Sequence, residues 1–141
     1  MVWKLDADQI KSISPNHILF LCVANSARSQ MAEGIAKKIV MGKVKIYSAG
    51  SKPSQVNPLA IMALLEIDID ISEHFSKRVD TIDSVGVDVV ITLCAEEECP
   101  VFLGNAKRFH WGLPDPTDEI ESFRSVRDEL VKRLTYLFEE I

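Results

Sequence analysis

Apolar residues in this chain follow two rhythms, and their succession predicts alternating strands and helices. Ile18 to Leu21 is an unbroken apolar run, the mark of a strand buried on both faces. After a polar loop, Met31, Ile35 and Ile39 recur every four residues, as do Ala32, Ala36 and Val40. This spacing predicts a helix from Ser29 to about Met41, stopped by Gly42. Val44 to Tyr47 alternates with charge and reads as a second strand, closing in Ser48-Ala49-Gly50. Asn57-Pro58 is a cap followed by a first-turn proline, opening a short helix with Leu59, Met62, Ala63 and Leu65. Val87 to Leu93 is β-branched nearly throughout and predicts a buried strand ending at Cys94; Lys107 to Trp111 reads as the last strand. From Asp118 to Ile141, Ile120, Phe123, Val126, Leu130, Leu134 and Leu137 step by three or four, the pattern of a long amphipathic helix.

Such alternation implies an α/β fold, a three-layer α/β/α arrangement around a four-stranded parallel sheet. Residues 1–15 form an N-terminal extension, a short helix or a frayed arm, and 16–141 a single domain. In a sheet of this kind ligands bind beyond the carboxyl ends of the strands. Cys22 ends the first strand, Cys94 the third, and Asp115 follows the fourth, so all three are expected on one rim.

Composition narrows the classes. The net charge of −5 argues against a general nucleic-acid role, since any bound anion must be held by a local cup rather than a basic face. The apolar runs are too short for a membrane span, and the N-terminus lacks the pattern of a signal peptide, so a cytoplasmic protein that engages no membrane is expected. Three cysteines suit free thiols in a reducing compartment, and suggest a redox relay. A zinc site is the weaker reading, because Cys94-x4-Cys99 lacks a second ligand pair and His110 stands alone.

The chemistry concentrates in Cys22-Val23-Ala24-Asn25-Ser26-Ala27-Arg28-Ser29. A loop of this length closing on a helix N-terminus can aim backbone amides at a tetrahedral oxyanion while the Arg28 guanidinium forks onto two of its oxygens. The same surroundings favour a Cys22 thiolate. Asp115, held between Pro114 and Pro116, is placed to protonate a departing oxygen. If the strands of Cys22 and Cys94 are neighbours, their ends lie about 4.8 Å apart, within disulfide reach. Cys94 and Cys99 would need a loop or an unwinding helix to pair, because five helical residues rise about 7.5 Å and leave the thiols on nearly opposite faces. A conformational change over 94–99 on oxidation is therefore expected.

These residues, together with Tyr47-Ser48-Ala49-Gly50, Asn57-Pro58, Asp70-Ile71-Ser72, Cys99-Pro100, His110-Trp111-Gly112, Asp115-Pro116 and Val126-Arg127-Asp128-Glu129, resemble the thioredoxin-coupled arsenate reductases, which share the fold of the low-molecular-weight protein tyrosine phosphatases. The likeness spans about Ile18 to Leu137. It implies that Cys22 attacks arsenate held by the loop amides and Arg28, while Asp115 protonates the oxygen that leaves. Cys94 then attacks Cys22, arsenite departs, Cys99 attacks Cys94, and thioredoxin reduces the Cys94–Cys99 bridge. It implies that Asn25 and Ser26 shape the loop, that Ser29 bonds the nucleophile, and that the enzyme is a monomer with no bound cofactor. Phosphate or sulfate would serve as substrate analogues, and weak phosphatase activity would accompany reduction.

Three departures from the best-known members carry expectations of their own. Ala24 stands at a glycine position, so a strained left-handed backbone is expected there. The Cys94 to Cys99 interval is shorter. Asn25, Glu33 and Ser48 match side-chain ligands of a potassium site, but Lys77 replaces its aspartate, so the ammonium stands in for the ion or the site is lost. Two rivals remain: a phosphatase, against which Thr117 follows the Asp-Pro where tyrosine is usual, and a non-catalytic redox sensor or oxyanion-binding module.

Overall fold

The computed structural model describes residues 2–83, 86–94 and 104–139. In chain order they form α1 (Val2–Ile13), β1 (His17–Cys22), α2 (Arg28–Val40), β2 (Lys45–Gly50), α3 (Pro58–Leu65), β3 (Val89–Thr92), β4 (Lys107–His110) and α4 (Ile120–Phe138), with a single 3-10 turn at Val79–Thr81. All strand pairs are parallel, in the order β2-β1-β3-β4. The expected four-stranded parallel sheet is therefore present, with β1 and β3 at its centre.

The two-residue period of β1 divides the core. Ile18 and Phe20 face the larger cluster, which gathers side chains from all four α-helices. Leu19 and Leu21 face the other way and pack with Ala49, Val87 and Val90, covered by Val79, Ile82 and Ala106. Every β1 residue is buried, which explains why its sequence shows no alternation.

Several boundaries shift from the sequence expectation. β3 stops at Thr92, so Cys94 lies two residues beyond its end rather than on it. α2 closes one residue before Gly42: Met41 itself takes the left-handed conformation at φ 51°, its amide bonded to Lys37, with Gly42 following at φ 85°. Asn57 caps α3 as expected, its side chain accepting from the Leu59 amide at 2.9 Å.

Residues 2–13 are helical and belong to the main core. Trp3, Ala7 and Ile10 are buried. Trp3 meets Trp111 and Tyr136 edge to face, at centroid separations of 6.1 and 5.5 Å, and the Tyr136 hydroxyl donates to Asp8 at 2.8 Å. Among the described residues no helix is long and apolar enough to cross a membrane.

Candidate active site

Cys22 is the last residue of β1 and only 2% exposed. The chain leaves the central strand and runs straight into α2, whose first residue is Arg28. Three carbonyls of this loop are taken by a flanking segment: Val23 accepts from Lys52 at 2.9 Å, Ala24 from Ser54 at 3.2 Å, and Ser26 from Asn57 at 2.9 Å. A trans peptide sets the next amide opposite its carbonyl, so the N–H groups of Ala24 and Ala27 are turned away from those partners. The residue before α2, Ala27, offers no side-chain cap. The resulting cleft, about 310 Å³, is lined by Cys22, Ala24, Ser26, Arg28, Asp115 and Phe123, among others.

The left-handed residue of the loop is Asn25, at φ 49°, and not Ala24. The expected strain at Ala24 is thereby corrected, and the physical reason is visible. Asparagine tolerates this conformation better than other L-residues, and here its side chain has four partners. Nδ2 donates to Ser29 Oγ at 2.8 Å and to Ser48 Oγ at 3.0 Å; Oδ1 accepts from the Lys77 amide and from Gln30, both at 2.9 Å. Gly50 closes the loop from behind. A Cβ there would sit 2.3 Å from Val23 O and 2.8 Å from Cys22 O.

Cys22 Sγ lies 2.8 Å from Ser29 Oγ. That oxygen already accepts from Asn25, which leaves its own hydrogen able to point at the sulfur. Arg28 is 4% exposed and is anchored by the Leu113 carbonyl at 3.0 Å and the Leu93 carbonyl at 3.4 Å. Its other terminal nitrogen is 3.8 Å from Asp115 Oδ1. Arg28 thus ties the loop to the segments beyond β3 and β4, while Asp115 itself is largely exposed at the mouth.

Cys94, like Cys22, is buried. The ladder pairs Leu21 with Thr92, and the Leu93 amide donates to Leu21 O at 2.8 Å, so Cys94 follows directly on the strand beside Cys22. Cys99, the acidic run Glu96 to Glu98, and the expected rearrangement over 94–99 lie outside the described residues.

Behind the loop sits a buried carboxylate. Glu33 is 3% exposed; it accepts from Ser48 Oγ and from Lys37 Nζ at 2.5 Å each, and Lys77 Nζ stands 3.6 Å away. Burial would raise its pKa, but the bonds from Lys37 and Ser48 and the charge of Lys77 outweigh this and hold it below the ordinary value. Burial lowers the pKa of Lys77, against the pull of Glu33. Lys77 also donates to Phe75 O at 3.2 Å. Asn25, Ser48 and Glu33 are bonded to one another in a chain, with the Lys77 ammonium beside the carboxylate.

Four participants escaped sequence reasoning. Ser76 donates to Asn25 O at 2.7 Å, Gln30 donates to Phe75 O at 3.0 Å, and His74 Nδ1 lies 3.0 Å from Gln30 Oε1. The fourth, Gly50, reads in the sequence as the end of a strand and part of the Tyr47–Gly50 stretch of the resemblance, without its role against the loop backbone. The Ile/Asp alternation over 67–72 does not make the role of the following residues legible, and only the fold brings them to the back of the loop.

Comparison with known proteins agrees with this geometry. The profile of the low molecular weight phosphotyrosine protein phosphatase family matches residues 17–141. An arsenate reductase of Staphylococcus haemolyticus is 47% identical over 120 residues, covering 83% of this chain and 90% of the relative. The solved structure of an arsenate reductase in the phosphate binding state superposes with a TM-score of 0.78 at 37% identity, over 89% of this chain and 98% of that one. A thioredoxin-dependent arsenate reductase of Corynebacterium glutamicum superposes at 0.70 with 27% identity, over 96% of this chain and 68% of that one.

Proposed function

The chain belongs to the low molecular weight phosphotyrosine protein phosphatase family, among its arsenate reductases, and from this we propose that it reduces arsenate to arsenite through Cys22, Cys94 and Cys99, with thioredoxin restoring the thiols. The observation that carries the reading is the pairing of two kinds of group on one rim. A cysteine bonded to Ser29 opens onto a cleft that Arg28 also lines, and a second buried thiol follows the adjacent strand.

In this reading the Cys22 thiolate attacks arsenic, and Asp115 protonates the oxygen that leaves as water. Arg28, held by two carbonyls, balances the charge of the remaining oxygens. Cys94 then attacks Cys22 Sγ. The sulfur–sulfur bond forms as the sulfur–arsenic bond breaks, its electron pair remains on arsenic, and As(V) becomes As(III). Cys99 exchanges into the disulfide, leaving Cys94–Cys99 for thioredoxin. A phosphatase needs neither Cys94 nor Cys99, whereas a redox sensor needs no Asp115.

Steady-state assays with arsenate separate these readings. Turnover with thioredoxin should exceed turnover with glutathione and hydrolysis of an aryl phosphate. Cys99→Ser should complete at most one turnover, and Cys22→Ser none. Multiple turnovers by Cys99→Ser overturn the relay as written.

The reading extends to the half-buried Lys77. Lys77 serves in place of a potassium ion, its ammonium answering Glu33 behind the loop. Potassium titration should leave melting temperature and turnover unchanged beyond the effect of ionic strength; stabilisation by potassium over sodium overturns this.

A further inference from the structure

Asn57 has more hydrogen-bonding capacity than its place in the fold consumes. Its amide donates to Ser26 O at 2.9 Å, and its carbonyl accepts from the amides of Ala60 at 3.0 Å and Ile61 at 3.2 Å. Its side-chain oxygen is spent on the Leu59 amide at 2.9 Å, the cap of α3. One group is left over, the Nδ2 amino group, and among the described residues no acceptor takes its two hydrogens.

The cap also fixes which way round the carboxamide sits. A flipped side chain would set two donors, Nδ2 and the Leu59 amide, against each other, so the oxygen faces α3 and the amino group faces away from it. Asn57 is half-buried and lines the same cleft as Cys22 and Arg28. Its bond to the Ser26 carbonyl holds it against the loop two residues before Arg28. Backbone and side-chain oxygen are thus committed to the loop and to α3, and the remaining donor belongs to a residue of the cleft wall.

We propose that Asn57 Nδ2 donates a hydrogen bond to an oxygen of the bound oxyanion, so that one residue both caps α3 and completes the anion site. The inference rests on the arsenate reading above and gives Asn57 a binding part in it. An amide nitrogen donates and does not accept, so it suits an ionised oxygen and disfavours a protonated one. It therefore holds an oxygen that stays on arsenic, distinct from the one that Asp115 protonates. The donor is neutral, and adds direction where Arg28 adds charge.

The test separates the donor from the cap, using the full chain and inorganic phosphate as the probe. Asn57→Ser keeps a hydroxyl able to accept from the Leu59 amide but has no amino group, whereas Asn57→Ala has neither. The phosphate dissociation constant, read by titration calorimetry, should rise about tenfold in both, the size of one hydrogen bond to a charged group. The melting temperature of the phosphate-free protein should fall only in Asn57→Ala. Asn57→Asp has the same shape and caps as well, but sets a carboxylate where the donor was, so its affinity should fall further than that of Asn57→Ser. In arsenate assays the half-saturating concentration should rise in step, with the limiting rate changed less. Parent affinity for phosphate in Asn57→Ser overturns the proposal, as does a loss confined to Asn57→Ala, which is what a cap alone would give. Parent affinity in Asn57→Asp overturns it equally, should Asn57→Ser fold poorly. The two readouts fail separately: a parent that does not reduce arsenate overturns the relay, while the phosphate comparison still decides for or against Asn57.

Discussion

At the residue scale the loop depends on two positions that tolerate little else. Asn25 holds a left-handed backbone and four hydrogen bonds, and Gly50 supplies the space against which that backbone rests. Gly50→Ala would press a methyl group into Val23 O and Cys22 O, which are main-chain atoms and cannot swing aside. We expect a stability loss of about 1–3 kcal/mol by urea denaturation, and a larger proportional loss of arsenate turnover, because the atoms displaced are those of the nucleophile's own peptide. Here the sequence was partly legible. The Cys-x5-Arg spacing puts Cys22 and Arg28 on one cleft, and Ser29 Oγ lies beside Cys22 Sγ. The left-handed residue was assigned to Ala24 by analogy with a glycine, although the neighbouring asparagine carried the intrinsic preference.

At the scale of elements, α2 begins without a side-chain cap, since Ala27 has no oxygen to offer. An oxyanion in the cleft would take the place of the cap and bind the Arg28 guanidinium as well. Phosphate at one hundred times its dissociation constant should therefore stabilise the fold by about 2.7 kcal/mol, read as a rise in melting temperature. In Arg28→Lys the same phosphate concentration should stabilise less, because the fork becomes a point charge. An equal rise in both proteins would remove Arg28 from the anion site. The elements themselves were largely readable: helices α2 and α4 followed from four-residue repeats, and β1 and β3 from continuous apolar runs. α1 was ambiguous because its anchor, Trp3, is held by Trp111 and Tyr136, partners more than a hundred residues away.

For the whole molecule, acid is the condition that exposes buried charge. Burial lowers the pKa of His17, with Lys45 adding to the effect, and of His74, which faces Glu33, Lys37, Lys77 and Asp70. Glu33 and Asp70 are also held below their ordinary values. Each folded-state pKa is lower than the unfolded one, so the unfolded chain takes up more protons as pH falls, and the stability present at neutral pH is lost. Melting temperature should decline first below the ordinary histidine value of 6.5 and again below the ordinary glutamate value of 4.5. Glu33→Gln should lower stability at neutral pH by about 1–3 kcal/mol, because it leaves Lys37 and Lys77 unanswered, and should flatten the second decline. A melting temperature that holds level from pH 7 to 4 would contradict this. The family resemblance brings Glu33 and Lys77, 44 residues apart in the chain, to one site, but the burial that shifts their pKa values is a property of the finished fold.

The strand order carries a consequence for biosynthesis. β1 is flanked by β2, which follows it closely in the chain, and by β3, which is made much later. A nascent chain can assemble β1, α2 and β2, and with them the cup around Cys22, while Cys94 is still untranslated. The half that carries the Cys22 loop is thus born first, and Cys94 and the carbonyls that anchor Arg28 are added as β3 and β4 take their places. A truncated product of translation would carry the Cys22 loop with Arg28 lacking both of its carbonyl anchors.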